Sequence, residues 1–341
     1  MSSDVRRSRQ RGSGTAVLEQ LLGRWQVALY LAAVLAGLGL GTAAPAVANV
    51  AEPLLWPVLG ALLLATFLQV PLRRLPEAAR DRRFLAAVVV GNFVVVPLVV
   101  WGLLALLPAD PALRLGVALV LLVPCTDWFI VFAHLGGGDT RRAIVVTPLN
   151  LLLQLAALPL YLWLLADGVL EAFGTARVVT VFLTLVLAPL VTAWVVQARA
   201  RARPRLRRAL LRLEHAPVVL LALVLLLVAT SQVGEVAAVL EVLPAVLTAF
   251  VAFLALGLVL GRLLAGAFRL TPRAGRSLTF SLGTRNSFVV LPFALALPEA
   301  WSLAVAVIVL QSLVELFGML AYLRVVPRLF PVASTADATE R

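Results

Sequence analysis

The sequence has no lysine, one cysteine and two histidines among its 341 residues. Without lysine the chain cannot form a Schiff base with a carbonyl compound, which excludes a retinal-type pump. A single cysteine excludes an internal disulfide. Because His134 and His215 stand at no metal-ligand spacing from Cys125, the sequence predicts no metal site, and we expect no cofactor.

Charged side chains are also scarce, at 13% of the residues, whereas 62% are hydrophobic. So large an apolar fraction cannot be buried in one soluble core, and it predicts an all-α integral membrane protein. A helix that crosses a bilayer ~30 Å thick needs roughly 20 mostly apolar residues. Ten stretches meet this requirement: 26–43, 54–72, 84–107, 112–134, 143–166, 176–197, 216–232, 243–264, 275–297 and 302–325.

The net charge of +12 follows the predicted topology rather than a nucleic-acid surface. With a cytoplasmic N-terminus, 26 of the 29 arginines lie on the cytoplasmic side, and the exceptions are Arg114, Arg177 and the intramembrane Arg285. This is the positive-inside pattern. The basic start and the small residues 44–48 also fit a cleaved signal peptide, but cleavage would leave nine helices. We expect a multi-pass protein of the cell membrane with both termini cytoplasmic and no nucleic-acid partner.

An internal repeat divides the ten stretches into two halves. A shift of 159 residues places 124–131 on 283–290, and a shift of 161 places Asn150 and Gln154 on Gln311 and Glu315. Chance similarity among apolar residues is the alternative, but the polar matches count against it. Five helices per half make the repeat inverted. The predicted organisation is an N-terminal tail (1–25), a first repeat (26–166), an inverted second repeat (167–325) and a C-terminal tail (326–341).

The fourth and ninth stretches carry helix-breaking residues at equivalent positions, Pro124 and Gly283. Proline removes a backbone donor and clashes with the preceding turn. Broken backbone is tolerated at membrane depth only where it lines a cavity or is buried in protein, and half-helix ends there bind ions and polar solutes. A simple proline kink is the alternative. We predict that the two stretches are broken helices that cross.

Several polar residues are predicted to converge near this crossing. A rise of ~1.5 Å per residue places Cys125, Gln154 and Glu315 near the bilayer midplane, together with Arg285 and Asn286. A carboxylate at this depth costs about 2.5–3.5 kcal/mol. Glu315 should therefore face the interior, as a proton carrier, a substrate ligand or the partner of an arginine.

Two further residues each have two readings. Asp127 and Arg285 either neutralise each other, or Asp127 titrates during transport while Arg285 stands in for a bound cation. Cys125 is either a small buried hydrophobe or a soft ligand for a thiophilic substrate. A single thiol would release such a substrate quickly, as a transporter needs.

These residues resemble those of the arsenite efflux permeases of the arsenical-resistance type, within the bile acid:sodium symporter superfamily. The resemblance rests on Cys125, Gly138-Asp139, Leu149-Asn150, Gln154 and the late membrane glutamate Glu315. It implies that helices three to five and eight to ten form a core domain and that helices one, two, six and seven form a panel. It also implies that the cysteine and the glutamate are required for arsenite export coupled to proton entry.

The chain departs from those permeases at Phe132-Ala133-His134 and at 283–287, where it is closer to the wider superfamily. The alternative function is therefore a sodium- or proton-coupled symporter of organic anions. Its sodium ligands look absent, because Ser281 and Phe129-Ile130 stand at their positions, and a fixed Arg285 would repel sodium. Proton coupling is thus favoured.

An intramembrane enzyme is disfavoured, because no paired Asp-rich motif, no His-Glu-x-x-His and no base within a turn of Cys125 is present. We predict a transporter that exports arsenite, or antimonite, by proton antiport, with the lipid bilayer as its surroundings. Glu315 and Asp127 are the predicted proton-coupling acids. The predicted substrate-binding residues are Cys125, Asn150, Gln154, Arg285, Asn286, Gln311 and Glu315.

Overall fold

The computed structural model describes residues 28–71, 77, 80–126, 128–165, 179–213 and 215–332. Thirteen helices account for most of these ranges. They are α1 (Ala28–Ala43), α2 (Pro45–Gln69), α3 (Arg82–Ala105), α4 (Pro111–Leu122), α5 (Trp128–Leu135), α6 (Thr140–Leu165), α7 (Val179–Ala200), α8 (Pro204–Arg212), α9 (Ala216–Ser231), α10 (Val236–Ala267), α11 (Pro272–Gly283), α12 (Ser287–Leu295) and α13 (Ser302–Leu329).

Six of these helices are long and apolar enough to cross a membrane: α2, α3, α6, α7, α10 and α13. The pair α8 and α9, bent by 45°, is a seventh candidate if it counts as one span. The chain is thus an all-helical, multi-pass membrane protein, as the composition predicts. Fewer spans than the ten predicted stretches meet this test, because α1 and α9 are short when taken alone and two of the stretches are each divided into two shorter helices.

Both divided stretches are interrupted next to the predicted breaking residues. The stretch 112–134 is split between Leu122 and Trp128, and the stretch 275–297 between Gly283 and Ser287. At both breaks the backbone turns from helical to extended, with φ −104° and ψ 110° after α4 and φ −100° and ψ 139° after α11. The second break ends with a cap, because the Asn286 side chain accepts the N–H of Val289 at 3.3 Å.

The helices pack mainly in two groups. In the first group, α2 packs against α7 and α9, and α1 approaches α9 so closely that a Cβ on Gly37 would clash with the Leu226 carbonyl oxygen. In the second group, α10 packs against α11 and α13, and α13 packs against α4 and α12. Helix α12 also contacts α2. The helix that follows the second break therefore lies at the boundary between the two groups.

Candidate functional site

The two interrupted helices meet at their breaks. Pro124 and Arg285 form an isolated antiparallel β-bridge. Two backbone hydrogen bonds flank it, from the N–H of Cys125 to the carbonyl of Thr284 (3.2 Å) and from the N–H of Asn286 to the carbonyl of Val123 (2.8 Å). Backbone groups released from the helices thereby become partners of each other, as burial at membrane depth requires.

The guanidinium group of Arg285 lies inside this crossing, with only 2% of the residue exposed. Its acceptors among the described residues are four neutral oxygens: the carbonyls of Leu121 (3.2 Å), Ser281 (2.9 Å) and Leu282 (2.8 Å), and the side-chain oxygen of Asn92 (2.8 Å). The ring of Phe253 lies 5.3 Å from its central carbon, within cation–π range. Asp127, its predicted partner, lies outside the described residues, so that pairing stays a prediction.

Asn92 on α3 is the side chain that links this arginine to a third helix. It lies in a π-helical turn, Gly91–Val95, and is fully buried. Its amide nitrogen donates to Ser281 Oγ (3.1 Å) and to the Val88 carbonyl (3.2 Å), so its oxygen is turned toward Arg285. Single π-turns inside α-helices often mark functional positions.

Glu315 on α13 contacts the crossing through its carboxylate. Glu315 Oε2 accepts the backbone N–H of Arg285 at 2.8 Å and the side-chain amide of Gln311 at 2.7 Å. The Gln311 oxygen in turn accepts the Ser287 hydroxyl at 2.8 Å. Glu315 therefore sits at the start of a buried chain of hydrogen bonds that reaches the first residue of α12. Hydrogen bonds to an ionised acceptor are about twice as strong as neutral ones.

Cys125 lies on the other strand of the crossing and is 3% exposed. Its backbone N–H bonds to Thr284, and Glu315 accepts the backbone N–H of the next residue, Arg285, so the predicted thiol and carboxylate lie at the same break. Next to Cys125, the hydroxyl of Thr126 contacts the side-chain amide of Asn286 at 3.4 Å. Cys125, Arg285, Asn286, Gln311 and Glu315 are thus brought together.

Asn150 and Gln154 on α6 are both fully buried. They stand one turn apart, as the sequence predicts for a shared helix face, but the structure joins them to none of the hydrogen bonds at the crossing. Within the described residues, all four of their side-chain polar atoms lack a hydrogen-bond partner. Buried amides without protein partners are uncommon, so this face of α6 differs from most of the other buried polar groups.

A cavity of about 290 Å³ borders the crossing between the two groups of helices. Thr126 lines it beside Trp128, the first residue of α5, and Phe288, the second residue of α12, and Tyr30 lines it from α1. Trp128 stacks on Tyr30 with ring centroids 5.9 Å apart and meets Phe288 edge-on at 6.3 Å. His215, predicted to lie in a loop, lines the far end of this cavity just before α9. The cavity is therefore lined mostly by apolar side chains, three of them aromatic, with a few polar groups.

A second cavity, of about 710 Å³, lies at the end of the helices where α3 and α6 begin. Arg142 there pairs with Asp81 (2.6 Å) and Asp139 (2.9 Å), with about a third of each side chain exposed. Burial alone would raise the pKa of Asp81, but the hydrogen bonds from Arg142 and from the Phe84 N–H outweigh it and hold this pKa below its usual value of 3.8. His134, predicted at a helix end, contacts the Thr140 hydroxyl at 3.1 Å nearby.

Sequence reasoning missed three contributors to the site: Asn92, Ser287 and Phe253. Asn92 carries a detectable signal, because it is a lone amide in the apolar run from Leu85 to Val100. Phe253 carries no such signal, since an aromatic residue on an apolar helix is ordinarily a core residue.

Interrupted membrane helices that meet at buried polar groups are a feature of many secondary transporters. The family model of the Sodium Bile acid symporter family matches residues 56–240, more than half of the chain. The protein belongs to this family, whose members are transporters and not enzymes. The match includes the first break at Pro124 and ends before the second. No curated protein matches the chain.

Proposed function

We propose that the protein exports arsenite, and antimonite by the same chemistry, from the cytoplasm in exchange for protons. The observation that carries the proposal is the position of Cys125. Its backbone N–H is bonded to Thr284, and the backbone N–H of the next residue, Arg285, is bonded to the Glu315 carboxylate. A soft sulfur ligand and an ionisable acid thus share one buried place.

The proposal includes ten spans in two inverted repeats, with boundaries at 26–166 and 167–325. Helices α1 and α9 run in the same direction, because Gly37 faces Leu226 and Gly41 faces Thr230. Helices α2 and α7 also end on the same side, since Gln197 donates to the carbonyls of Phe67, Leu68 and Val70. Ten alternating spans, with each broken pair counted as one span, would make spans one and seven parallel and spans two and six parallel. They would make spans four and nine antiparallel, in keeping with the bridge between the breaks.

The two groups of helices support the proposed division into core and panel. The first group contains α1, α2, α7 and α9, which would be spans one, two, six and seven, and the second contains the broken pairs. The cavity beside Trp128 lies between the groups, and it reaches Gln69 and His215, the ends that the arginine pattern assigns to the cytoplasm. Arsenite would enter there, and movement of one group against the other would expose it outside.

Arsenite is a small trihydroxy compound of a thiophilic element, so it requires both a thiolate and partners for hydroxyl groups. Cys125 offers the first. The unpartnered amides of Asn150 and Gln154 offer the second, since a site whose buried polar groups stay unpaired without the substrate rejects analogues that lack those hydroxyls.

The test of the thiol role is Cys125→Ser in a bacterial strain that lacks its own arsenite exporter. We expect arsenite tolerance to fall to that of the empty strain, because a hydroxyl is a poor ligand for arsenic. The control is Ser312→Ala, which removes a buried hydroxyl bonded only within α13 and should leave tolerance unchanged. Unchanged tolerance in Cys125→Ser would end the thiol role.

The coupling role of Glu315 has its own test in vesicles. Glu315→Gln keeps an oxygen that can accept from Arg285 and Gln311, but it cannot carry a proton. We expect the variant to fold and to lose arsenite movement driven by a pH gradient. Wild-type transport by Glu315→Gln would leave the glutamate a structural part only.

A second candidate function, symport of organic anions, is favoured by the apolar cavity beside Trp128. Tyr30, Trp128 and Phe288 suit an apolar body. The N-termini of α5 and α12, where Trp128 and Phe288 lie, carry a partial positive charge that suits a carboxylate. Vesicles distinguish the two functions. Uptake of an organic anion that follows a sodium gradient and ignores a pH gradient would favour symport over arsenite export.

A further inference from the structure

Helix α8 carries a dense cluster of arginines and takes no part in the helix crossing. Four of its nine residues, Pro204–Arg212, are arginines, and Arg203 directly precedes it. No acidic residue occurs between Arg199 and Leu213. The helix joins α7 to α9 on the side that the arginine pattern assigns to the cytoplasm.

Leucines and arginines lie on different sides of this helix. Three leucines of α8 and of the residue after it recur at helical spacing and form an apolar stripe: Leu206, Leu210 and Leu213. The arginines occupy the other sides: Arg205, Arg207, Arg208 and Arg212. Leu211 is the one leucine among them. Helix α8 is thus a basic amphipathic helix, of the kind that lies in the plane of a membrane surface.

The protein offers α8 little to pack against. The helix contacts α7, but none of its nine residues is buried, and Leu211 and Leu213 are 64% and 48% exposed. Isolated helices shorter than about 12–15 residues are only marginally stable in water. A helix this short and this exposed therefore needs a further surface along its apolar stripe.

The helices on both sides of α8 expose apolar surface close to it. Trp194 near the end of α7 is 58% exposed, and Val219 in the first turn of α9 is 63% exposed. Tryptophan is enriched where membrane helices meet the lipid headgroups. Surface suited to lipid thus comes within about three turns of α8 along the chain in both directions, and the bilayer is the surface within its reach.

An open cleft of about 660 Å³ at the start of α8 combines charge with apolar surface. Arg203, Arg205 and Arg208 line it together with Leu206. A guanidinium group can bind two phosphate oxygens at once. Within the described residues none of these arginines forms an ion pair with a carboxylate, so their side chains are open to a phosphate group from outside the protein.

We propose that α8 is a docking surface for the anionic phospholipids of the cytoplasmic leaflet. The arginines contact the lipid phosphates, and the leucine stripe lies at the boundary between headgroups and acyl chains. Because α7 and α9 both belong to the first group of helices, bound lipid holds this group at the membrane surface. The inference does not depend on which solute the protein carries.

The first experiment compares two lipids in mixed micelles. The full-length protein is titrated with phosphatidylglycerol or with phosphatidylcholine while its thermal unfolding is followed, and we expect phosphatidylglycerol to raise the midpoint by several degrees more. The test variant replaces all four arginines of α8: Arg205→Gln, Arg207→Gln, Arg208→Gln and Arg212→Gln. Each arginine near an anionic surface changes binding by roughly fivefold. The fraction of phosphatidylglycerol that gives half of the rise should therefore be at least about tenfold higher in this variant.

The matched control replaces four exposed arginines at the same end of other helices: Arg82→Gln, Arg141→Gln, Arg273→Gln and Arg324→Gln. It lowers the net charge by the same amount and should keep the response of the wild type. Equal losses in the two variants would show a general effect of charge and would contradict the proposal. So would a wild-type protein that responds equally to both lipids.

Labels on two sides of α8 test the leucine stripe. A nitroxide is attached to Leu213→Cys or to Arg208→Cys, each in the Cys125→Ala background, which removes the natural thiol. In vesicles of phosphatidylglycerol and phosphatidylethanolamine, oxygen dissolved in the bilayer should relax mainly the label at 213, and a water-soluble nickel chelate mainly the label at 208. If the chelate relaxes both labels equally, α8 lies in water and the proposal is wrong. Neither experiment uses arsenite, so failure here is distinct from failure of the proposed function.

Discussion

Arg276 and Arg285 make similar hydrogen bonds in two different environments. Arg276, in the first turns of α11, donates to the carbonyls at the end of α5 and at the end of α13, with the shortest distance 2.7 Å to Phe330. Arg285, just beyond the end of α11, donates to carbonyls at the ends of α4 and α11 at 2.8–3.2 Å. One is half-buried at the edge of the protein and the other is fully enclosed.

The difference lies in what replaces each arginine when it is lost. Water can take over the carbonyls around Arg276 at a modest cost. Around Arg285 no water is available, so every carbonyl left alone costs its full desolvation penalty. Hydrogen bonds from an arginine to helix-end carbonyls therefore add modest local stability at one end of α11. At the other end the helix crossing depends on them.

Arg285→Met gives the largest expected effect and tests this contrast directly. It keeps side-chain volume but leaves four oxygens without their donor, each at a cost of roughly 1–3 kcal/mol before relaxation. We expect the free energy of unfolding in mixed micelles, with choline as the only cation, to fall by at least ~3 kcal/mol. A loss below that of Arg276→Met would remove the distinction between the two arginines.

Asn92→Leu should have the next largest effect. It removes one acceptor of the guanidinium and the donor to Ser281, and a hydrogen bond to a charged group is worth about 1.5–3 kcal/mol. The same unfolding measurement checks it. Thr147→Val is the control, because Thr147 is equally buried but bonds only within its own helix; an equal loss in both variants would show that Asn92 serves only packing.

The part played by Asn92 shows where sequence reasoning stops. The break residues Pro124 and Gly283 could be identified, because they disrupt helices through local backbone geometry that neighbours do not alter. The meeting of Cys125 with the second break also followed, since equivalent positions of two crossing helices must approach each other. A lone amide on a third helix has no local signature that tells which helix it faces.

Asn150 and Gln154 also show what sequence reasoning cannot predict. Their depth along the helix follows from helical rise, and both are buried as a shared face predicts. Depth does not fix rotation about the helix axis, so the expected contact with Glu315 does not appear among the hydrogen bonds of the described residues. For Arg285 the sequence leaves two readings open, a partner of Asp127 or a stand-in for a cation. The neutral oxygens that accept from it belong to three helices, so only the tertiary structure identifies them.

Arg276→Met should have a smaller effect than either change at the crossing. Its four carbonyl acceptors end helices at the edge of the protein, so water replaces the lost donors. We expect about 1 kcal/mol of destabilisation in the same unfolding measurement. A loss as large as that of Arg285→Met would mean that the edge of the protein excludes water as well as the crossing does.

The smallest expected effect is the pH dependence of the ion pair between Asp81 and Arg142, also at the edge. The pKa of Asp81 is held below its usual value of 3.8, so the folded state binds fewer protons than the unfolded state. The stabilisation is therefore fully present above that usual value and is lost as the pH falls through the lower, folded-state pKa. Because the two side chains are 34% and 36% exposed, we expect less than about 1 kcal/mol.

Thermal unfolding of the wild type and of Asp81→Asn between neutral and acid pH measures this contribution. The wild type should lose its small advantage over the variant in acid, and high salt should reduce the difference at neutral pH. Glu77→Gln, in the same cavity, is the control for general protonation of carboxylates. If Asp81→Asn loses stability at neutral pH as strongly as Asn92→Leu, then polar contacts at the edge of the protein are as valuable as those at the crossing. Solvent exposure would then not explain the difference between Arg276 and Arg285.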